Sequence, residues 1–438
     1  MFSKRIAISA FVLLFGCFPR GTSLQCQATA ASDLTLDKAV RIALAKNYTL
    51  QNARLQVDAA RARIDAARSN LFPQLGSTAQ YSRLGKIPVF TLPGLSAPVS
   101  IVPLGNLVGA ITARLAVYTG GRNHALVSRA EALYDAQIAR LATTESQIAF
   151  RTRSAYYDVL LQESLLKSNS QSLESAHSQL NDAQARFDAG TAPKFDVLRT
   201  QTQVSAAEQF VTQSRNQSDN SRITLNRILG VSLEQKYTLI TPATAAMPDE
   251  KADALVTLAR SQRSELLTAR AQVEAARQGI TIARSEVLPE LDLVATYTSV
   301  ANVSASQITG WGAFAQVNWP LYNGGKSGAD VRESKALIAE AKVNLEDTRR
   351  AVEQEVRQSY SDVQTAVKQI ESARAQLAQA TEAYDIATVR YQAGVATATE
   401  SADALTALVL ARTNLDRAVF GYSIAYAGLQ RSLGRTTY

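Results

Sequence analysis

The chain has 438 residues, with 46 Lys and Arg against 38 Asp and Glu, two His and two Cys. Both cysteines, Cys17 and Cys26, fall near the amino terminus, so the remainder has no thiol for a disulfide, a thiolate metal site or a nucleophile. The basic excess is thin and has no basic run, which argues against a nucleic-acid partner.

Residues 1–30 read as an export signal peptide. Lys4 and Arg5 form a basic start, Ile6 to Phe18 an apolar stretch too short to span a bilayer, and Ala28-Thr29-Ala30 a small-residue cleavage site. A competing reading is lipoprotein processing at Cys17, against which stands the bulky Phe15. Past the leader no apolar stretch reaches transmembrane-helix length, so any membrane role falls to strands.

The rest of the chain is written twice. Tyr118, Gly120, Gly121, Arg186, Gly190 and Gly230 recur as Tyr322, Gly324, Gly325, Arg390, Gly394 and Gly434, at a constant offset of 204. Upstream, Val57, Arg61 and Pro73 recur as Val273, Arg277 and Pro289 at an offset of 216, so the first copy carries an insert between Pro73 and Tyr118. Residues 31–230 are read as the first structural repeat, 231–262 as a linker and lateral belt, and 263–438 as the second repeat. Each repeat reads as a helix, a strand hairpin (72–118 and 288–322) and a long helical hairpin (121–229 and 325–433).

In the first repeat Asn47 to Leu71 is Ala- and Arg-rich and helical, and Phe72-Pro73 ends it. From Leu75 the period is two, with Leu75, Ser77, Ala79 and Tyr81 on one face. Lys86 to Asn106, with Pro88, Pro93, Pro98 and Pro103, has loop composition. Alternation resumes over Ile111 to Tyr118 and again over Leu291 to Thr298 and Trp311 to Leu321. Four strands with one apolar and one polar face suit a membrane barrel. Trp311 and Trp319, the only tryptophans, stand on one face about 26 Å apart at ~3.3 Å per residue, the height of an apolar band between aromatic girdles. Tyr297, Tyr118 and Tyr322 complete the predicted girdle.

Arg122 to Asp188 has no proline or glycine, and Lys326 to Gln392 has only Gly328. At ~1.5 Å per residue each helix is about 100 Å long. Val356, Val363, Ile370, Leu377, Tyr384 and Tyr391 recur in sevens against Ser359, Ala366, Ala373, Ala380 and Ala387, a coiled-coil seam that lets neighbours approach closely. The shorter helices, Tyr48 to Leu71 and Ala192 to Leu229, stacked end to end, match that length at about 93 Å.

Enzyme chemistry fails on inventory. His124 and His177 lie about 80 Å apart on one helix, and Gly325-Lys326-Ser327 lacks the first glycine of a phosphate loop because Pro320 stands there. No cofactor and no metal site is expected. The two helical turns are the candidate functional spots. Gly190 and Gly394 end the long helices, with Thr191 an expected N-cap and Pro193 in the next first turn. Asp196 and Glu400 occupy equivalent places, as do Arg199 and Asp403; ringed around an axis they would form a charged constriction.

The repeat, the strand ends Leu115-Ala116-Val117-Tyr118-Thr119-Gly120-Gly121 and Trp319-Pro320-Leu321-Tyr322-Asn323-Gly324-Gly325, and the two R-[FY]-x-A-G turns together resemble the TolC-like outer-membrane efflux protein family. The resemblance implies a mainly α fold with a membrane β-barrel part: a homotrimer whose duplicated long coiled-coil helices form an α-barrel, with four strands per chain making a 12-stranded barrel. It implies an exit duct set in outer-membrane lipid and reaching into the periplasm, docked by a periplasmic adaptor protein and fed by an inner-membrane pump. Gly190, Thr191, Gly394 and Val395 would form the docking tip, and Asp403 would take the place of a gating aspartate. Ala396 departs from members that have a gating arginine there. A secretion channel for polypeptides and a soluble coiled-coil scaffold remain as alternatives.

Overall fold

The computed structural model describes residues 32–85, 89–90, 99–100, 105–243, 251–302 and 307–435. The expected leader with Cys17 and Cys26, and Pro88, Pro93, Pro98, Pro103 and Pro248, lie outside them. In chain order the elements are β1 (Ser32–Leu34), α1 (Leu36–Lys46), α2 (Tyr48–Ser69), β2 (Gln74–Arg83), β3 (Val89–Phe90), β4 (Val99–Ser100), β5 (Gly105–Tyr118), α3 (Arg122–Asp188) and α4 (Lys194–Leu229). The second half adds β6 (Tyr237–Leu239), α5 (Ala252–Gln262), α6 (Ser264–Ser285), β7 (Glu290–Asn302), β8 (Gln307–Asn318), α7 (Lys326–Gln392) and α8 (Ala398–Ser432).

The helices form a wall of four columns. α3 packs against α2 and α4 on one side and α6 and α8 on the other, and α7 packs against α6 and α8. Each half therefore supplies one unbroken helix, α3 or α7, beside a column made of two helices end to end. Val356, Val363, Ala366 and Ala373 of the predicted seam are buried, and they are joined by Val352. Ile370, Leu377 and Tyr384 are only partly buried, so the seam thins towards the turn.

The joints within the two-piece columns come from single residues. Asn47 breaks the chain between α1 and α2 with extended backbone. Its side-chain oxygen accepts from the amides of Thr49 and Leu50 at 2.9 and 3.3 Å, capping α2. Its amide nitrogen donates to the Ile228 carbonyl at 2.8 Å, in the last turn of α4. One amide group thus satisfies both facing helix ends. In the second half Arg263 stands at the equivalent place between α5 and α6. Having only donors, it serves α8, reaching the carbonyls of Arg431 and Ser432 at 3.3 and 3.1 Å. It also forks onto Glu265 at 2.9 Å through two nitrogens and onto Glu355 at 2.7 Å. Arg431 pairs with the same Glu355.

Two cores sit at these joints, one in each half. The first gathers Leu34, Ala39, Ala43, Ile148, Tyr156, Leu225 and Leu229. The second gathers Leu255, Val256, Leu266, Val352, Val356, Tyr422 and Leu429. At the first, β1 and β6 pair in parallel, and the fully buried Tyr156 of α3 fastens them. Its hydroxyl lies 2.6 Å from the Leu34 carbonyl and 2.7 Å from that of Ile240, and accepts from the Ile240 amide at 3.0 Å. Burial pushes the Tyr156 phenol up to about 12, so it stays a neutral donor at ordinary pH.

Several expectations are corrected here. α1 and α5 are helices where none was predicted, α5 lying inside the stretch read as linker. Both are only 11 residues long and hold their shape by docking apolar faces on α3 and α7. β5 starts at Gly105 rather than Ile111, because the register with β2 continues to Arg83. β3 and β4 pair within the insert read as loop. Thr191 does not cap α4: its hydroxyl and its amide both donate back to the Arg186 carbonyl at the end of α3. Pro193 occupies the N-cap instead, without a side-chain bond.

Candidate functional site

Two regions carry the surface chemistry: the sheet at one end of the wall and the helical turns at the other. The sheet is antiparallel in the order β2-β5-β7-β8. Its register lines up Leu75, Ala113, Ala295 and Ala313 in one cross-strand row, and Ser77, Ile111, Tyr297 and Trp311 in another. A third row, Leu115, Leu293 and Ala315, lies on the same face. The opposite face carries Gly76, Thr112, Thr296 and Gly312, then Thr78, Ala110, Thr298 and Gly310. Arg114 and Asp292, also there, form an ion pair at 2.5 Å. The alternation legible in the sequence therefore holds across all four strands at once. One exception is a bulge between Ala116 and Tyr118, which brings Tyr118 opposite Leu291 on the apolar side.

Among the described residues, both outer strands, β2 and β8, have an unpaired edge. The apolar face is open as well: Trp311 is 82% exposed, and beyond the end of β8 Leu321 and Tyr322 are 80% and 85% exposed. Trp319 lies one residue past β8 and donates its indole N–H to the Val287 carbonyl at 3.2 Å. A soluble protein does not leave edges and aromatic side chains bare on this scale.

At the far end the two turns have the same construction. Gly190 and Gly394 take φ of +73° and +74°, and the next amides, of Thr191 and Val395, donate to the carbonyls of Arg186 and Arg390 at 2.8 and 3.0 Å. This is the six-to-one closure that needs a left-handed residue. The turns touch each other through Arg186, which donates to the Tyr391 carbonyl at 3.0 Å and lies 4.4 Å above that ring. Arg199 reaches the Thr399 hydroxyl of the other hairpin. Glu400 faces Arg390 at 4.0 Å in open solvent, a pair worth little. Asp196 and Asp403 have no ion-pair partner within the protomer among the described residues, so Arg199 and Asp403 are not brought together there. His124 and His177 are exposed. Among the described residues no three His, Cys, Asp or Glu side chains form a metal-sized cluster, and no helix is long and apolar enough to cross a membrane.

The joint residues Asn47 and Arg263 and the hub Tyr156 were missed in the sequence. The signal for the first two was present: the 216 offset that equates Val57 with Val273 also equates Asn47 with Arg263.

Four amphipathic strands with open edges, carried on a wall of long helices, suit an outer-membrane channel. Residues 39–231 and 255–435 match the family model described as outer membrane efflux protein, and the chain belongs to that family. It is 24% identical over 403 residues to outer membrane protein TolC of Escherichia coli (strain K12), covering 89% of this chain and 80% of that one. It is 25% identical to the outer membrane efflux protein BepC of Brucella suis biovar 1 (strain 1330), over 98% of this chain and 90% of that one. Its fold matches the crystal structure of the Campylobacter jejuni CmeC outer membrane channel with a TM-score of 0.80 at 16% identity, covering 91% of this chain and 85% of that one. The chain is an outer-membrane efflux protein, and its long helices place it across the periplasm.

Proposed function

We propose that three copies of this chain close into one passive exit duct, which conducts cargo delivered by an inner-membrane pump through a periplasmic adaptor and performs no catalysis itself. The observation that carries this reading is the pair of open sheet edges. β2 and β8 run in opposite directions, so β8 of one copy meets β2 of the next as another antiparallel pair. Three copies then give a barrel of twelve strands without an edge. The helical wall supports the same closure, since its outer columns leave Phe195, Leu198 and Phe210 of α4 and Val343, Ile386 and Val389 of α7 exposed. Burying each between copies contributes about 1.5–3 kcal/mol.

In this assembly Trp311, Trp319, Tyr297, Tyr118 and Tyr322 face the outer-membrane lipid. Gly190, Thr191, Gly394 and Val395 form the tip that docks the adaptor. Asp196, Arg199, Glu400 and Asp403 ring the periplasmic gate. Asp403, lacking a partner in its own protomer, pairs across the axis, and with Ala396 in place of an arginine that link uses another basic group, Arg199 being the nearest in sequence equivalence. The test is cysteine cross-linking between one residue on β2 and a scan of residues on β8 in the mature protein. Oxidation yields a covalent species of three chains and no larger; a ladder that stops at two, or continues past three, contradicts the closure.

A further inference from the structure

The strand-proximal part of the helical wall holds a cationic recess that closing the barrel does not require. It has a volume of about 380 Å³ and lies between α2, α3 and α6. Arg63, Arg129 and Arg140 line it, with Gln137 and Gln272 between them and Leu126 and Leu133 as an apolar floor. All three arginines are exposed, and none has a side-chain hydrogen bond or ion pair among the described residues. Other basic groups at this end do find carboxylates: Arg122 pairs with Glu290 at 2.6 Å, and Lys326 with Glu286 and Asp330 at 2.6 and 2.9 Å. The recess is also specific to the first half. The internal repeat places Glu333 at the position of Arg129, Asn344 at that of Arg140 and Gly279 at that of Arg63. The neighbouring recess between α3, α6 and α7 shares Arg129, Leu133 and Gln272 with it and adds Glu286, Asp330 and Glu333, the first two already paired with Lys326.

On the exit-duct reading the recess faces inward. Arg122, Arg129 and Arg140 share one stripe of α3, the first and last being about five full turns apart. Arg122 pairs with Glu290. Along β7 Glu290 alternates with Leu291 and so shares the side of Asp292, opposite the apolar face of the sheet.

We propose, on the exit-duct reading, that the Arg63–Arg129–Arg140 recess is a cargo subsite for small amphiphilic organic anions. Guanidinium groups hold a carboxylate, sulfonate or phosphate by charge-assisted forked hydrogen bonds. The leucine floor takes the apolar body, and the volume suits a molecule of one or two fused rings.

The experiment is isothermal titration of the purified mature protein in detergent with 1,5-naphthalenedisulfonate. The triple variant Arg63→Gln/Arg129→Gln/Arg140→Gln is expected to bind about tenfold or more weakly than the wild type, the loss of two or three charge-assisted bonds. Arg63→Gln alone, for which folding is safer, is expected to bind about threefold more weakly. An aromatic dication of similar size does not compete. Equal binding by wild type and both arginine variants, or competition by the dication, overturns the subsite. Bilayer conductance of the same samples separates the two ideas: conducting channels without anion binding sink the subsite alone, whereas arginine-dependent binding without channels sinks the duct.

Discussion

Arg263→Ala is expected to destabilise the protein by about 3–5 kcal/mol, the usual cost of removing one partner from a buried ionic network. The Arg263 side chain is only 6% exposed and answers two carboxylates and two main-chain carbonyls. Alanine leaves the Ser432 carbonyl, at the end of α8, without this donor, while the Arg431 carbonyl keeps the Gly434 amide at 2.9 Å. Glu355 keeps Arg431 as a partner, but Glu265 loses its fork. Lysine at this position retains the charge without the planar fork and is expected to recover less than half of the loss. Denaturant unfolding of the purified protein reads the effect. A change below about 1 kcal/mol, the range of exposed pairs, would show that the network is ornamental.

The other joint gives the second large effect. Gly230 ends α4 with φ of +70° and lies directly against the break between α1 and α2. A β-carbon there would stand 2.4 Å from the Lys46 carbonyl oxygen and 2.8 Å from its carbon, both main-chain atoms that cannot swing away. Gly230→Ala therefore adds overpacking to left-handed strain, about 2–5 kcal/mol together. Gly434, its equivalent, is less crowded, its nearest contact being 3.1 Å from the Gln262 carbonyl oxygen. Gly434→Ala is expected to cost about 1–2 kcal/mol, mostly the strain. Thermal or denaturant unfolding of both variants checks the order. Equal losses would mean that conformation alone, and not the close approach of the two helix ends, sets the cost at Gly230.

These joints also mark where the sequence stops being legible. α3 and α7 stand out because 67 residues without proline and with small residues on one seam have few other solutions. The strands stand out because alternation survives across all four, and a single slip would turn Leu293, Tyr297 and Trp311 to the other face. By contrast, Asn47 marks the start of α2 as a favourable N-cap, but neither proline nor glycine marks the end of α1 before it. The chain bends there because the end of α4, far away in sequence, comes to meet the Asn47 side chain. α1 and α5 are too short to be helical without the long helices they cover. Thr191 misled for a similar reason: a threonine after glycine suggests an N-cap, but the tight closure of the turn places its hydroxyl nearer the helix behind it. At the two turns, the sequence supplied equivalent charges, but within the chain the structure brings Arg199 to Thr399 rather than to Asp403.

Single-channel recording reads out whether a closed ring of three chains conducts. Purified mature protein, cross-linked to count its chains, is added to a planar bilayer beside the Asp403→Ala variant. Discrete conductance steps from a three-chain species, larger or more frequent in Asp403→Ala, are the predicted result. A soluble species of any other size that never inserts, with or without Asp403, would contradict the duct and leave a coiled-coil scaffold in its place.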